Sequence, residues 1–330
     1  VGMPVTAIMS GAELEAMDDA ALARKIGQIQ VFARLSPAQK ARIVTVLHEQ
    51  GEIVGYLGDG INDTLAMKAS DVGISVDSAV DIARESADVV LLEKDLMVLE
   101  QGVVEGRRIY GNLIKYIKMT TSSNFGNMFS VLAASLFLPF LPMAAVQIIL
   151  RNLIYDTVNI AMPWDRVDQT FLARPRRWDA SSIGRFMVRI GPVSSVFDIV
   201  TFLLMYFIVC PAVAGGPFDT LDMAGQAVFI AVFHAGWFVE SMWTQTLVMH
   251  VIRTEKGAFF RNLASWPVLL ASTAGVVIAS VIPMTSPGQA IGLARLPWSC
   301  YGWFILIAAA YMALVALARR AYIRRYGEWL

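Results

Sequence analysis

Six apolar stretches fill most of the last 212 residues of this 330-residue chain, and no other feature limits its possible folds as strongly. They lie at about 119–138, 143–162, 187–210, 226–250, 265–283 and 299–318. Each reaches or approaches the roughly 20 residues that a helix needs to cross bilayer hydrocarbon. A spanning segment must satisfy its backbone polar groups internally, so these stretches are expected as membrane helices. Residues 139–142 allow only a turn, so the first two stretches are expected to form a hairpin. Charge follows the same division. The first 118 residues carry 12 basic and 17 acidic groups and the remaining 212 carry 15 and 10, which is about 25% charged against about 12%. One part of the chain is built for water and the other for lipid.

The loops at 163–186 and 251–264 carry Arg166, Arg174, Arg176, Arg177, Arg185, Arg253, Lys256 and Arg261, and the tail carries Arg319, Arg320, Arg324 and Arg325. The opposite loops, 211–225 and 284–298, hold only Arg295. The positive-inside rule puts the arginine-rich side, the front of the chain and the C-terminus in the cytoplasm. A net charge of zero, with a basic excess explained by topology, excludes a polybasic nucleic-acid binder as the default. Trp164, Trp178, Trp266 and Trp298 fall near expected span ends, where aromatic belts form. His234 is expected to pack, His250 to lie at the interface, and Arg189 to reach the cytoplasmic interface. Cys210 and Cys300 sit in or beside apolar runs and make no disulfide framework. The opening VGMPVTAIMSGAELEAM shows no targeting signature and reads as part of something longer.

The front alternates helical and strand signals. Helices are expected near 20–26, from Ser36-Pro37 to about 50, at 62–69 and at 79–86; an apolar run covers 29–32, and strands are expected at 53–57, 72–75 and 89–92. Ser at a cap with Pro at the first helical position is a strong start signal. The alternation predicts an α/β fold with a parallel sheet covered on both faces and chemistry at the carboxyl ends of the strands. The expected divisions are 1–95 as this domain, 96–118 as a stalk helix and 119–330 as an all-α membrane domain of six spans. A helix over 96–138 would extend roughly 60 Å and couple the two parts mechanically. The alternative is an amphipathic linker on the membrane surface, which Gly102, Gly106 and Gly111 favour.

The segment YLGDGINDTLAMKASDVGIS, 56–75, ends an apolar strand in a glycine-flanked Asp59, with Asp63 four residues on. Gly58 and Gly60 permit a tight turn and close backbone approach, and two carboxylates at a strand end can hold a magnesium ion. Phosphoryl transfer needs such a metal to neutralise developing charge. Lys40, on the preceding helix, would balance phosphate charge. The plain alternatives are a turn with solvated acids and a solvated lysine. In the apolar half, Asn124, Asn127, Arg151, Asn152 and Asp156 are costly inside hydrocarbon and therefore functional candidates. Asn152 and Asp156 share a helical face. Amides that bond helix to helix are the alternative. Arg151 would repel a cation unless it pairs with Glu240 or Asp198, which would make those acids structural.

FARLSPAQK followed by GDGIND, DVGIS and a long stalk resembles the end of the phosphorylation domain of a P-type ATPase, a haloacid-dehalogenase-like fold. KYIKMTTSSNFGN, NLIYD, GRFMVRIGPVSSVFDIVTF, GWFVESMWTQTLVMHVIRT and RRYG resemble the bacterial magnesium-transporting P-type ATPases more than the calcium or sodium pumps. The resemblance extends over almost the whole chain. It implies that Asp59 ligates a catalytic Mg2+ beside a phosphoryl-aspartate, that Asn62 and Asp63 support it within the Gly58 and Gly60 turn, and that Lys40 contacts the phosphoryl group. It implies Asn124, Asn127, Asn152 and Asp156 as ligands of the transported cation, Asp156 foremost; Glu240, an acid within an apolar stretch, is a lesser candidate read from the sequence itself. ATP is the implied substrate and the lipid bilayer the implied surrounding, in a bacterial inner membrane. The family's DKTGT nucleophile and TGD segments do not occur here, so the nucleotide-binding domain, the actuator and four helices are expected in a missing N-terminal part, and this chain alone is expected to be inactive. Where the family commonly continues GDGINDAP, Thr64 and Leu65 follow instead. The rivals are a pump for calcium or protons and a non-catalytic membrane scaffold with a degenerate phosphatase-like domain. A soluble phosphatase with a membrane anchor fits poorly, because one helix would suffice.

Overall fold

The computed structural model describes residues 4–93, 95–255 and 263–329. The chain divides into two compact units, Val1–Val103 and Val104–Leu330.

The first unit runs β1 (Ile8–Ser10), α1 (Gly11–Glu15), α2 (Asp19–Lys25), β2 (Val31–Ala33), α3 (Pro37–Glu49), β3 (Gly55–Leu57), α4 (Thr64–Ala69), β4 (Val72–Val76), α5 (Asp81–Glu85) and β5 (Val89–Leu91). Its helix starts follow from side-chain caps. Ser36 accepts from the Gln39 amide while the Gln39 side chain accepts from the Ser36 amide, and Pro37 occupies the first turn, where its missing N–H costs nothing. Ser10 and Glu13 form the same reciprocal cap on α1. The strands are parallel, as expected, but form two sheets, β1-β2 and β3-β4-β5. In the second sheet Tyr56 pairs with Gly73 and Ser75 with Val90. The expected cover on both faces holds for β4, where Gly73, Ile74 and Ser75 are buried. It fails at the flanks, where Leu57, Val89 and Val90 are exposed. The strand expected at 53–57 starts at Gly55, because the Val54 amide bonds to the Asp71 carboxylate instead. Leu14, Leu22, Ile26, Ile43 and Val46 form the core beneath α1, α2 and α3.

A single helix, α6 (Leu96–Ser135), carries the expected stalk and first span without a break. Gly111 serves close packing in it, since a Cβ there would sit 3.0 Å from both Phe171 and Val167. The chain continues with α7 (Ala145–Asn159), α8 (Gln169–Leu172), α9 (Ala180–Leu204), α10 (Cys210–Ala214), α11 (Met223–Ile252), α12 (Trp266–Val281), α13 (Ser286–Ala290) and α14 (Trp298–Tyr326). Between α9 and α10, residues Met205–Val209 widen into a π-type turn just before Pro211, whose ring disrupts the regular ladder. At the end of α14, Gly327 (φ 68°) takes the left-handed conformation that closes the helix.

Four segments among the described residues are long and apolar enough to cross a membrane: Ala180–Thr220, Met223–Ile252, Trp266–Met284 and Trp298–Tyr326. The first two expected spans do not meet that standard. The 15 residues of α7 are fewer than the ~20 that hydrocarbon requires, and Asn124, Asn127 and several Ser and Thr residues dilute the uncharged end of α6 after Lys118. Lys256 and Arg261 lie outside the described residues. The core of this unit gathers around Phe186, Phe202, Phe233, Trp237 and Phe304.

Candidate active site and ion path

The glycine turn sits at the carboxyl end of β3 and is tied to β4. The Gly58 amide donates to the Ile74 carbonyl at 3.0 Å, and the Ser75 hydroxyl donates to the Gly58 carbonyl at 2.9 Å. A Cβ on Gly58 would stand 2.4 Å from the Asp63 Cβ, so glycine is what lets the second aspartate fold back over the turn. Lys40, from α3, reaches Asp63 Oδ1 at 2.7 Å, and the Tyr56 hydroxyl donates to the same oxygen at 2.9 Å. Burial pulls the Asp63 carboxyl up, but these bonds and the Lys40 charge outweigh it and hold the group below the usual carboxylate range. Burial, and then the Asp63 charge, push the Tyr56 phenol up. The structure thus joins Lys40 to Asp63 as one ion pair. Asp59 and Asn62 stand exposed beside it, with no side-chain hydrogen bond among the described residues. The Asp59 carboxylate and Asp63 Oδ2 remain as open oxygen donors, which suits a hard cation such as magnesium. No group of three or more His, Cys, Asp or Glu that could hold a metal occurs among the described residues.

The expected ion-path residues are less closely joined. Asn124, Asn152 and Asp156 are exposed and Asn127 is half-buried. No hydrogen bond links these four among the described residues. Asp156 lines a cavity of about 430 Å³ between α6 and α7, with Asn112, Tyr116 and Asn159 on its wall. Of the alternatives open for Arg151, an ion pair with Glu240 or Asp198 is not found among the described residues. Its guanidinium meets Ser241 Oγ at 3.5 Å and Asn152 Oδ1 at 3.3 Å. Asp198 is instead held by Ser130 Oγ at 2.5 Å and Trp237 Nε1 at 2.7 Å. Glu240 is buried beside Thr201 and Thr244. His234 packs as expected against the Leu141 carbonyl. His250, near the end of α11, is buried, with its ring 3.0 Å from Ser272 Oγ.

Sequence reasoning missed a third assembly. Asp165, fully buried, accepts from Lys115 at 2.9 Å, from Arg253 at 3.0 and 3.1 Å, and from the Ser265 amide at 3.2 Å. Asn112 fixes the same loop by donating to the Pro163 and Asp165 carbonyls. Burial acts to raise the Asp165 carboxyl, and the two cations more than offset it, leaving it lowered. The available signal was a lysine set among the apolar positions of the stalk, three residues after Asn112.

The family described as "Cation transporting ATPase, C-terminus" matches residues 140–321. The magnesium-transporting ATPase, P-type 1, of Salmonella typhimurium strain LT2 is 48% identical over 329 residues, which is 100% of this chain and 35% of the relative. The protein of that name from Escherichia coli K12 is 45% identical over 327 residues, 99% of this chain and 35% of the relative. A calcium-transporting ATPase of Bacillus subtilis is 32% identical over 206 residues, 60% of this chain and 23% of the relative. The chain spans about a third of the length of the curated magnesium-transporting relatives it matches. Together with the paired Lys40 and Asp63 at the glycine turn and the long apolar helices, this match establishes that the chain belongs to the cation-transporting P-type ATPase family.

Proposed function

We propose that this chain is the C-terminal part of an ATP-driven magnesium importer of a bacterial inner membrane, working through an aspartyl-phosphate intermediate. The observation that carries the reading is the Lys40–Asp63 pair, anchored by Tyr56 beside the exposed Asp59 on a two-glycine turn. Asp59 and Asp63 would hold the catalytic Mg2+, which neutralises developing phosphoryl charge when bound. Lys40 keeps Asp63 ionised and oriented, and Gly58 and Gly60 leave the backbone close to the incoming phosphoryl group. The nucleophile, the nucleotide-binding domain and the actuator belong to the part of the pump that precedes this chain, so this chain alone is inactive. The membrane part comprises six spans, with the end of α6 and α7 as the first two, and the first unit and the C-terminus are cytoplasmic. Asn124, Asn127, Asn152 and Asp156 carry the transported cation. Their exposed faces on α6 and α7 suit contact with helices supplied by the preceding part, and Glu240 is a further candidate. The match to calcium-transporting relatives, 40% identity over 152 residues in Bacillus cereus, keeps a calcium pump as the second reading.

The test is cation-stimulated ATP hydrolysis by the full-length protein across a panel of metals. Stimulation by magnesium with none by calcium is expected, and the reverse would replace the substrate. Asp59→Asn is expected to abolish phosphoenzyme formation, and normal phosphorylation would remove Asp59 from the site. Asp156→Asn is expected to lower cation affinity by about tenfold, the effect of losing one charged ligand worth ~1.4 kcal/mol. A full-length protein without phosphoenzyme under any metal would favour the scaffold reading.

A further inference from the structure

Two donors converge on one oxygen of Asp63, and they come from different elements of the first unit. Lys40 Nζ reaches Oδ1 from α3 at 2.7 Å, and the Tyr56 hydroxyl reaches it from β3 at 2.9 Å. One cation would be enough to keep the acid ionised, so the second donor needs a reason. The turn already fixes where the side chain leaves the backbone. The Asp63 amide donates to the Gly60 carbonyl at 3.1 Å, and the Asp63 Cβ fills the space that a Cβ on Gly58 would need. These contacts leave the carboxylate plane free, because the last torsion of an aspartate is broad and roughly two-fold. The two hydrogen bonds on Oδ1 set that plane. Oδ2 is left facing Gly60, whose Cβ position would lie 3.8 Å from it.

The donors differ in what else they can do. The Lys40 ammonium has three N–H groups and makes one hydrogen bond among the described residues, and its side chain is 29% exposed. A phosphoryl group arriving beside Asp59 would draw that charge to its oxygens, since charge-assisted bonds to phosphate are strong. The Tyr56 hydroxyl has a single hydrogen, already given to Asp63, and it carries no charge for an anion to attract. It also belongs to the strand that carries the turn, where Tyr56 pairs with Gly73.

We propose that Tyr56 is a positioning residue for Asp63: its hydroxyl holds Oδ1 while Lys40 shares its charge with the phosphoryl group, so that Oδ2 stays turned toward the metal position. The assignment deepens the phosphoryl-transfer reading and rests on it for its consequence. With Lys40 as the only donor, each pull of the ammonium toward a phosphoryl oxygen would also tilt the carboxylate. With Tyr56 in place, the lysine serves the acid and the phosphoryl group together.

Tyr56→Phe removes the hydroxyl and keeps the ring in its strand. In the full-length protein in detergent, the loaded site is read as thermal protection by orthovanadate, a phosphate analogue, at fixed magnesium chloride. The vanadate concentration for half-maximal protection is expected to rise about tenfold in Tyr56→Phe, the scale of one lost hydrogen bond to a charged group. Amide exchange over 58–67, with neither magnesium nor vanadate, reads the two donors against each other. Tyr56→Phe alone is expected to change it by less than about twofold, because Lys40 still holds Oδ1. In a Lys40→Met background the same substitution is expected to speed exchange about tenfold. A tyrosine that only packs would give equal effects in both backgrounds, and that result would overturn the proposal. An unchanged vanadate requirement in Tyr56→Phe would overturn it as well. If Lys40→Met does not fold, the vanadate comparison decides by itself. A wild type without vanadate protection would refute the proposed function, and the exchange comparison would still decide whether Tyr56 and Lys40 hold Asp63 jointly.

Discussion

Asp165→Asn is expected to be among the most damaging single changes in the second unit, because of how the charges are distributed. Asp165 bonds both Lys115 and Arg253, and all three side chains are at most 1% exposed. Removing the acid leaves two like charges buried together, and breaking a buried pair in this way costs about 3–5 kcal/mol. Lys115→Met leaves a balanced Asp165–Arg253 pair and loses bonds to Asn112 and the Arg166 carbonyl, for a cost of about 1–2 kcal/mol. Apparent Tm of the full-length protein in detergent should therefore fall by on the order of 10 °C for Asp165→Asn and by only a few degrees for Lys115→Met. Acidification offers an independent check. The folded carboxyl lies below its unfolded value, so its contribution is present above the unfolded range and is lost as pH falls through the folded value. Asp165→Asn should remove that part of the acid sensitivity. A Lys115→Met shift equal to or larger than that of Asp165→Asn would refute the charge-balance reasoning.

Further outcomes follow from the same geometry. Gly58→Ala should destabilise the turn by about 1–3 kcal/mol, read as faster amide exchange over 58–67, because the new Cβ must displace Asp63. Asp63 is held below the carboxylate range, so exchange protection of the same segment should fall as pH drops through its lowered value, and Asp63→Asn should abolish that dependence. Trp329→Ala should lower stability by about 3–5 kcal/mol in thermal unfolding, since the indole is fully buried against Phe186 and Tyr322 and bonds to the Ile252 carbonyl.

The glycine turn and its two aspartates were legible because their chemistry is local. Four residues of sequence hold Asp59 and Asp63, and the Ser36-Pro37 start fixes where α3 presents Lys40. The role of Tyr56 was not legible, since an aromatic in a strand looks the same whether it packs or donates to an acid. The long apolar helices were legible from composition, although α7 is too short by itself to count as a span. What could not be read was which polar residues meet across sequence separations of 39–90, as Asp198 meets Trp237 and Arg151 meets Ser241. Pairing of that kind depends on helix rotation, which hydropathy does not encode. Arg151 shows the limit clearly: residue types permitted an ion pair with Glu240 or Asp198, and helix packing placed a serine, an asparagine and an indole around the guanidinium instead.

The basic residues behind the orientation argument also have structural partners that a charge count cannot show. Arg319 donates to the Val251 and Thr254 carbonyls at 2.8 and 3.1 Å, at the end of α11, and the Trp329 indole takes the Ile252 carbonyl at 2.7 Å. Lys118 in turn donates to the Trp329 carbonyl at 2.9 Å, so the tail after Gly327 is held from α6 as well as from α11. The last carbonyls of a helix have no partner within it, and beside hydrocarbon little water is available to serve them. They also carry the negative end of the helix dipole, so a buried arginine there satisfies hydrogen bonds and charge together. Two requirements therefore place basic residues at the same end of α11: the preference for positive charge on one side of the membrane and the need to cap carbonyls. Part of the arginine excess is thus the set of groups that closes this helix. A residue such as Arg319, 4% exposed, should then tolerate loss far less than its place in a charge tally suggests.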